Sequence, residues 1–339
     1  MALPVARLTL GSYPTPVREL VVPGDALGEG GDGPVRLLVK CDDVTSALYG
    51  GNKVRKLEYV LARARERKKT RLLTVGAVGS HHVLATAIHG RAHGFRVHAV
   101  LVPQPWTPHV EKNLRAGLSA GLTAEAAWEP SLYLRVLAAM DRDTEFIALG
   151  GSSVIGSLGY VDAAAELAAQ VEQGLLPEPD ELVVAMGSGG TVAGLLVGLA
   201  RTRLRTKVVG VSIAKPVLIV KALAVRLTRS LARACNVEPE RALSRLHVDA
   251  HAVGAGYGYA TPEGTRATQA VAASGVLVDP TYTAKALASA LERARKRPDT
   301  TIMFWNTLSS AKLEGSLPVR PEEALPDDLR GLLRQRPTL

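Results

Sequence analysis

The residues best suited to chemistry in this 339-residue chain begin with Gly50-Gly51-Asn52-Lys53-Val54-Arg55-Lys56-Leu57-Glu58. Two glycines end a loop and a helix follows, because Val54, Leu57, Leu61 and Ala64 fall at i, i+3, i+7 and i+10 on one apolar face. Lys53 therefore stands near a helix N-terminus, where the positive end of the dipole disfavours an ammonium. Arg55 and Lys56 lie close in sequence, and neighbouring cations lower a lysine pKa. A lysine so depressed suits Schiff-base chemistry. Lys53 and Lys56 are i, i+3 neighbours, so one can bond a cofactor aldehyde while the other reaches its phosphate. Taken alone, the segment reads more simply as surface lysines on a basic helix.

Three other segments place small or hydroxyl residues between a strand and a helix. Gly187-Ser188-Gly189-Gly190-Thr191 follows an apolar strand and precedes a helix over 192–200, a loop whose N–H groups suit a phosphate. Position 192 is Val and no Lys follows, so neither a dinucleotide fingerprint nor a nucleotide P-loop fits, although a tight packing turn does. Gly76-Ala77-Val78-Gly79-Ser80-His81-His82 opens a helix, and Ser80 with the N–H groups after it can receive a carboxylate. Gly-x-Ser-x-Gly is absent there, which argues against a serine hydrolase. His82, His89 and His93 share a helix face, but only His89 and His93 have ligand spacing, so packed or surface histidines fit better than a metal. Val278-Asp279-Pro280-Thr281-Tyr282-Thr283-Ala284-Lys285 ends a strand and starts a helix, which puts Tyr282 and Thr283 at a carboxyl strand end. Tyr257, between Gly256 and Gly258, is a second loop tyrosine, equally readable as a packing residue.

The elements that must position these groups alternate strand and helix from about residue 35, the pattern of a parallel α/β architecture. Strands are expected at 35–40, 72–75, 97–102, 146–149, 182–185, 208–211, 276–278 and 302–305, with long helices at 216–234 and 283–296. Gly28 to Gly33 reads as a glycine-rich turn, and the chain after Pro318 as a polar tail. The length suits two domains. Hydrophobic content of 47% with 22% charged residues is that of a folded protein, and with aromatics at 4% Leu, Val and Ala must fill the core.

Cys41 and Cys235 alone make no disulfide framework and fit a reducing, cytoplasmic compartment; no signal peptide is expected at the N-terminus. Residues 182–200 carry no charge, yet glycines at their centre favour a buried strand and helix over a membrane span. The net charge of +9 is concentrated toward expected helix ends, at 63–71 and 293–297, where cations face solvent; no nucleic-acid motif accompanies it.

In this order and spacing, the segments resemble the D-cysteine desulfhydrase and 1-aminocyclopropane-1-carboxylate deaminase family, of the tryptophan-synthase β fold type. The resemblance runs from about Leu10 to Leu308 and rests on Gly-Gly-Asn-Lys-x-Arg-Lys-Leu-Glu followed by Asp-Pro-x-Tyr-Thr-x-Lys. It implies an α/β, two-domain fold-type II enzyme that uses pyridoxal 5'-phosphate, with parallel-rich twisted sheets flanked by helices. Residues 1–53 and 161–330 would form a large cofactor-binding domain, 54–160 a small inserted domain and 331–339 a tail. By the same likeness Lys53 bonds the cofactor, Lys56 and Gly187, Ser188, Gly189, Gly190 and Thr191 hold its phosphate, and Ser80 meets the substrate carboxylate. Tyr257 and Tyr282 would flank the reacting carbon, with His81 and His82 lining the substrate site. A homodimer is implied as well.

Thr283 and Thr307 stand where the cyclopropane deaminases of the family carry Glu and Leu. A neutral hydroxyl beside the pyridine nitrogen weakens the electron sink, which favours prompt β-elimination from a small amino acid. Ring opening of the cyclopropane on the same scaffold is the alternative, and a non-catalytic or metal-binding protein with a relict fold is another. Three departures bear on the pocket. Gly79 removes a side chain, which would widen it, His81 replaces an amide expected near the cofactor's phenolic oxygen, and Leu308-Ser309 replace two glycines.

Overall fold

The computed structural model describes residues 6–27, 33–128, 131–313 and 327–334. Most of the expected turn at 28–33 and most of the chain after Pro318 lie outside the described residues. The first part of the chain forms β1 (Val17–Val22), β2 (Val35–Cys41), α1 (Asn52–Glu66), β3 (Arg71–Ala77), α2 (His81–Ala92), β4 (Arg96–Val102) and α3 (Pro108–Ser119). Then come β5 (Thr123–Ala126), α4 (Leu132–Ala139), β6 (Thr144–Ile147), α5 (Val154–Glu172), β7 (Glu181–Met186), α6 (Gly190–Ala200), β8 (Lys207–Ser212) and α7 (Val217–Ala234). The remainder is α8 (Pro239–Leu243), β9 (Leu246–Asp249), α9 (Pro262–Ala270), α10 (Thr283–Lys296), β10 (Ile302–Asn306) and α11 (Asp327–Arg334).

The strands form two sheets. One has six strands in the order β1-β2-β10-β7-β8-β9, parallel throughout except for β1 against β2; the other is parallel, in the order β5-β4-β3-β6. Runs such as Leu182-Val183-Val184-Ala185 are apolar on both faces because both faces are covered. Side chains of α5, α6 and α7 pack on one face of the large sheet and those of α9 and α10 on the other. The small sheet packs on α1, α2 and α3, with Leu132 and Val136 of α4 on its opposite face. No helix among the described residues is long and apolar enough to cross a membrane.

The strand at 146–149 lies two residues earlier, because Leu149–Gly151 turns as a 3-10 helix. The expected strand at 276–278 does not form. Both neighbours of β10 are already taken by β2 and β7, so the segment runs as irregular chain and its Leu277 carbonyl accepts from Asn306 Nδ2 at 3.2 Å. Strands β1, β5 and β9 were not anticipated; all three lie at sheet edges. The small sheet falls wholly within residues 54–160, whereas the boundaries expected at 53/54, 160/161 and 330/331 fall inside α1, α5 and α11.

Helix α1 is locked to the large sheet by a buried ionic cluster. Arg55 donates to both oxygens of Asp42 (3.0 and 2.8 Å) and to Glu166 (2.9 Å), while Asp42 also accepts from Tyr160, Trp305 and Thr15. Lys40 donates to Glu166 and Gln170, both at 2.6 Å. Every charge in this cluster has an opposite charge or several hydrogen bonds, the condition under which burial of ions is tolerated.

Candidate active site

The loops after β2, β3, β7 and β10 converge where the carboxyl ends of the two sheets approach each other, the usual place for a ligand in such sheets. Lys53, in the first turn of α1, enters this cleft. Gly51 before it adopts φ 86°, and a side chain there would meet the Thr307 carbonyl at 2.6 Å. Burial lowers the Lys53 pKa to about 8, partly offset by the charge of Asp279. The direction agrees with the sequence expectation, but Arg55 is not the cause, since its guanidinium points away into the Asp42 cluster.

Lys56 is fully buried and held well below the ordinary lysine range by burial and then by Lys53. It donates to the Gly150 carbonyl (3.1 Å) and Ser152 Oγ (3.3 Å). Ser152 Oγ also lies 2.7 Å from Ser188 Oγ and accepts from Gly190 N at 3.1 Å. Gly189 has φ 83°, and a side chain there would strike the backbone of Ala224 at 2.7 Å. One built at Gly190 would meet Lys56 Nζ at 2.9 Å. Thr191 is buried in the first turn of α6 and accepts from Asn52 Nδ2 at 3.1 Å. Neither Lys53 nor Lys56 has an ion pair among the described residues. An ammonium, two hydroxyls and a helix N-terminus, with no carboxylate among them, fit a phosphate group.

Ser80 caps α2, its Oγ accepting from His82 N (3.2 Å) and Val83 N (3.5 Å), which leaves its own proton to donate. His82 lies within α2, buried, with Nε2 2.9 Å from Thr74 Oγ1. Thr74 gives its proton to the Ile147 carbonyl, so His82 Nε2 donates and its buried Nδ1 is a lone pair with no partner. Burial, followed by the charges of Lys53 and Lys56, keeps His82 neutral. His89 bonds the Tyr49 carbonyl, and His93 the carbonyl of His89. His89 and His93 are thus held by backbone carbonyls as packing histidines are, while His82 keeps an unpartnered nitrogen near the two lysines.

His81 has both ring nitrogens engaged, Nδ1 with Tyr49 Oη at 2.6 Å and Nε2 with His109 Nε2 at 3.0 Å. It therefore cannot also donate to a cofactor oxygen, as replacement of an amide suggested. Gly79 does not widen the pocket either. Helix α3 fills the space, with Val110 Cα and Cγ2 only 2.8 Å from where a Cβ would stand.

Tyr257 and Tyr282 meet edge to face with their hydroxyls 2.7 Å apart. Burial pushes Tyr257 up to about 12; burial and then Tyr257 hold Tyr282 well above its ordinary value. Asp279 caps α10, accepting from the backbone N–H groups of Thr281, Tyr282 and Thr283 and from Thr283 Oγ1 at 2.7 Å. Thr283 Oγ1 also accepts from Asp279 N, so its only proton is committed to Asp279. Thr307, beyond the end of β10, has no side-chain hydrogen bond among the described residues. Ser309, where a glycine was expected, accepts from Gly50 N at 2.8 Å and ties this loop to the Lys53 loop.

The sequence motif includes Asp279 and Lys285 without giving them a role, and Ser152, Tyr49 and His109 stand outside every motif. Asp279 was recognisable as an Asx cap before a proline and a helix. Lys285 donates to the carbonyls of Val253 and Gly256, pinning the Tyr257 loop. Nothing local marks Tyr49 or His109, which contact His81 from 32 and 28 residues away.

Residues 8–307 match the pyridoxal-phosphate dependent enzyme family. D-cysteine desulfhydrases of Salmonella newport and Salmonella typhimurium are each 33% identical over 319 residues, 89% of this chain and 93% of theirs. The crystal structure of an ACC deaminase homologue superposes with a TM-score of 0.76 at 28% identity, covering 91% of this chain and 94% of that one. A hydrogen sulfide-producing enzyme of Fusobacterium nucleatum shares the fold, with a TM-score of 0.62 at 18% identity over 94% of this chain and 92% of its own. A match over nearly the whole chain, on a fold whose strand ends gather a depressed lysine beside an anion cradle, makes this protein a member of the pyridoxal-phosphate dependent enzyme family.

Proposed function

We propose that this enzyme eliminates a leaving group from the β-carbon of a small amino acid, releasing a 2-oxo acid and ammonia, with sulfide when the substrate is D-cysteine. Bound pyridoxal phosphate supplies an aldehyde for the substrate amine and a ring that withdraws electrons from the α-carbon. Lys53 anchors the cofactor, and Lys56, Ser152, Ser188 and the 187–191 backbone hold its phosphate. Ser80 uses its free proton to hold the substrate carboxylate.

One observation carries the reading: the proton affinities in the cleft are divided. Lys53, at about 8, would take a proton readily near neutral pH when its amine is free. The phenols of Tyr257 and Tyr282, pushed upward, stay protonated and serve as donors, one to the other and then to the departing group. That supports Lys53 over Tyr282 as the base that takes the α-proton. With the Thr283 proton held by Asp279, Thr307 would be the neutral hydroxyl to face the ring nitrogen. The D-cysteine desulfhydrase relatives support elimination over ring opening. The test is 2-oxo acid released from D- and L-cysteine, β-chloroalanine and 1-aminocyclopropane-1-carboxylate. Turnover of β-substituted compounds is expected; turnover of the cyclopropane alone would reverse the assignment.

The division into a large domain (1–53 and 161–330) and a small one (54–160) belongs to the same proposal, supported by the second sheet. So does a homodimer, supported by Leu218, Ile219 and Leu223, which α7 leaves exposed, and checked by sedimentation. A cytoplasmic setting is supported by two free, buried thiols.

A further inference from the structure

Tyr49, His81 and His109 form a hydrogen-bonded row whose polarity is set by one carbonyl. Asn113 Nδ2 lies 2.9 Å from the Gly79 carbonyl, which only accepts, so the Asn113 atom on that side is the amide NH2. The same NH2 lies 3.3 Å from His109 Nε2, which in the resting row therefore offers its lone pair. His81 Nε2, 3.0 Å from that lone pair, is then a donor, and its Nδ1 is bare. Tyr49 Oη, 2.6 Å away, donates to Nδ1, consistent with a phenol that burial keeps protonated. The row runs Tyr49 to His81 to His109.

Its two ends differ in setting. Tyr49 is buried in the loop that leads to Lys53, and the His81 ring stands edge-on to Tyr282 with centroids 6.2 Å apart. His109, on α3, is partly exposed, and its Nδ1 has no protein partner among the described residues and is not sealed from solvent. Helix α3 comes this near because residue 79 is glycine.

We propose that this row carries protons between the cleft and solvent, one outward and one inward per turnover. The proposal rests on the elimination described above, which removes a proton from the α-carbon and delivers one to the leaving group. In the outward stroke Tyr49 Oη accepts a proton from the cleft and passes its own to His81 Nδ1. His81 gives its Nε2 proton to His109 Nε2, and His109 loses its Nδ1 proton to solvent. Each group ends neutral, with the row reversed. In the inward stroke His109 Nδ1 takes a proton from solvent and gives its Nε2 proton to His81 Nε2. His81 returns its Nδ1 proton to Tyr49, and Tyr49 releases one to the cleft. The original polarity is restored, so two opposite transfers make one cycle. Lys53, Asp279 and Tyr282 face the row from the cleft side, and Lys112 acts on His109 from α3.

The first test needs no turnover. In protein labelled with 15N-histidine, long-range 1H–15N spectra should put the proton of His81 on Nε2 and that of His109 on Nδ1. Asn113→Leu should release His109 to the other tautomer. A proton on His81 Nδ1 with Asn113 intact would overturn the proposal. The second test is His109→Ala in the loaded enzyme. It should lower kcat about tenfold or more with KM unchanged, enlarge the solvent deuterium effect on kcat and regain activity with added imidazole. A loss that imidazole does not repair, with an unchanged isotope effect, leaves His109 as packing and defeats the relay. A wild type that releases no 2-oxo acid from any β-substituted amino acid defeats instead the elimination on which it rests.

Discussion

Helix α1 carries two buried cationic sites within one turn that are built in opposite ways. Arg55 is buried with two carboxylates and surrounding hydrogen bonds, whereas Lys53 and Lys56 are sequestered with neutral partners or none. The first arrangement answers the cost of burying charge inside the protein; the second leaves it to be answered from outside. Ion pairing thus marks Arg55 as structural, and at Lys53 and Lys56 the lack of it, beside the N-terminus of α6, marks the place where an anion belongs.

The sharpest way to break the comparison is Lys53→Ala. Turnover should fall by roughly 10³-fold or more, with visible absorbance of the bound cofactor lost and the far-ultraviolet dichroism unchanged. Borohydride reduction of the wild type followed by peptide mapping should place the cofactor on Lys53 and no other lysine. At the other site, Asp42→Ala strips Arg55, Tyr160 and Trp305 of their shared acceptor. Unfolding in urea should then show a loss of about 3–5 kcal/mol, the cost of leaving a buried charge unpaired. A small loss there would show that Glu166 alone suffices for Arg55.

Lys56→Met should separate the two roles again. Cofactor affinity, followed by absorbance titration, should weaken roughly 10- to 100-fold, the worth of a charge-assisted contact. The cofactor-free protein should be no less stable than wild type, because a buried cation has been removed. A destabilised cofactor-free variant would place Lys56 with Arg55 as a structural residue.

The smallest effect is a pH dependence. The Lys53 pKa is depressed in the folded chain to about 8 from an ordinary 10.5, so between those values the unfolded chain binds the extra proton. Stability therefore rises with pH across that window and is lower by the full penalty below about 8. Lys53→Met should accordingly raise the melting temperature of the cofactor-free protein at neutral pH, with the gain fading as pH approaches 10. An advantage that does not change with pH would mean that burial does not depress Lys53.

How far the sequence discloses these regions follows from the range of the interactions. The 283–296 helix was readable to the residue, because its apolar stripe and basic end are local signals. Lys53, Lys56 and the 187–191 loop were readable because glycines, strand end and helix start are contiguous. Edge strand β9, four residues long and half-buried, shows too little alternation to be found. The Asp42 cluster gathers residues 15, 40, 42, 55, 160, 166, 170 and 305, a convergence that no spacing rule reports. Gly79 misled for the same reason. Its missing side chain suggested empty space, yet a helix thirty residues on occupies it.

The two unanswered lysines also bear on how long the protein lasts in a cell. A ligand that binds only the folded chain stabilises it in proportion to the logarithm of its free concentration, and here the ligand also relieves a built-in electrostatic penalty. Newly made chains that meet no pyridoxal phosphate would open more often and be cleared sooner by proteases than loaded ones. The abundance of this enzyme would then follow the supply of its vitamin-derived cofactor without any dedicated regulator, through the turnover of empty chains.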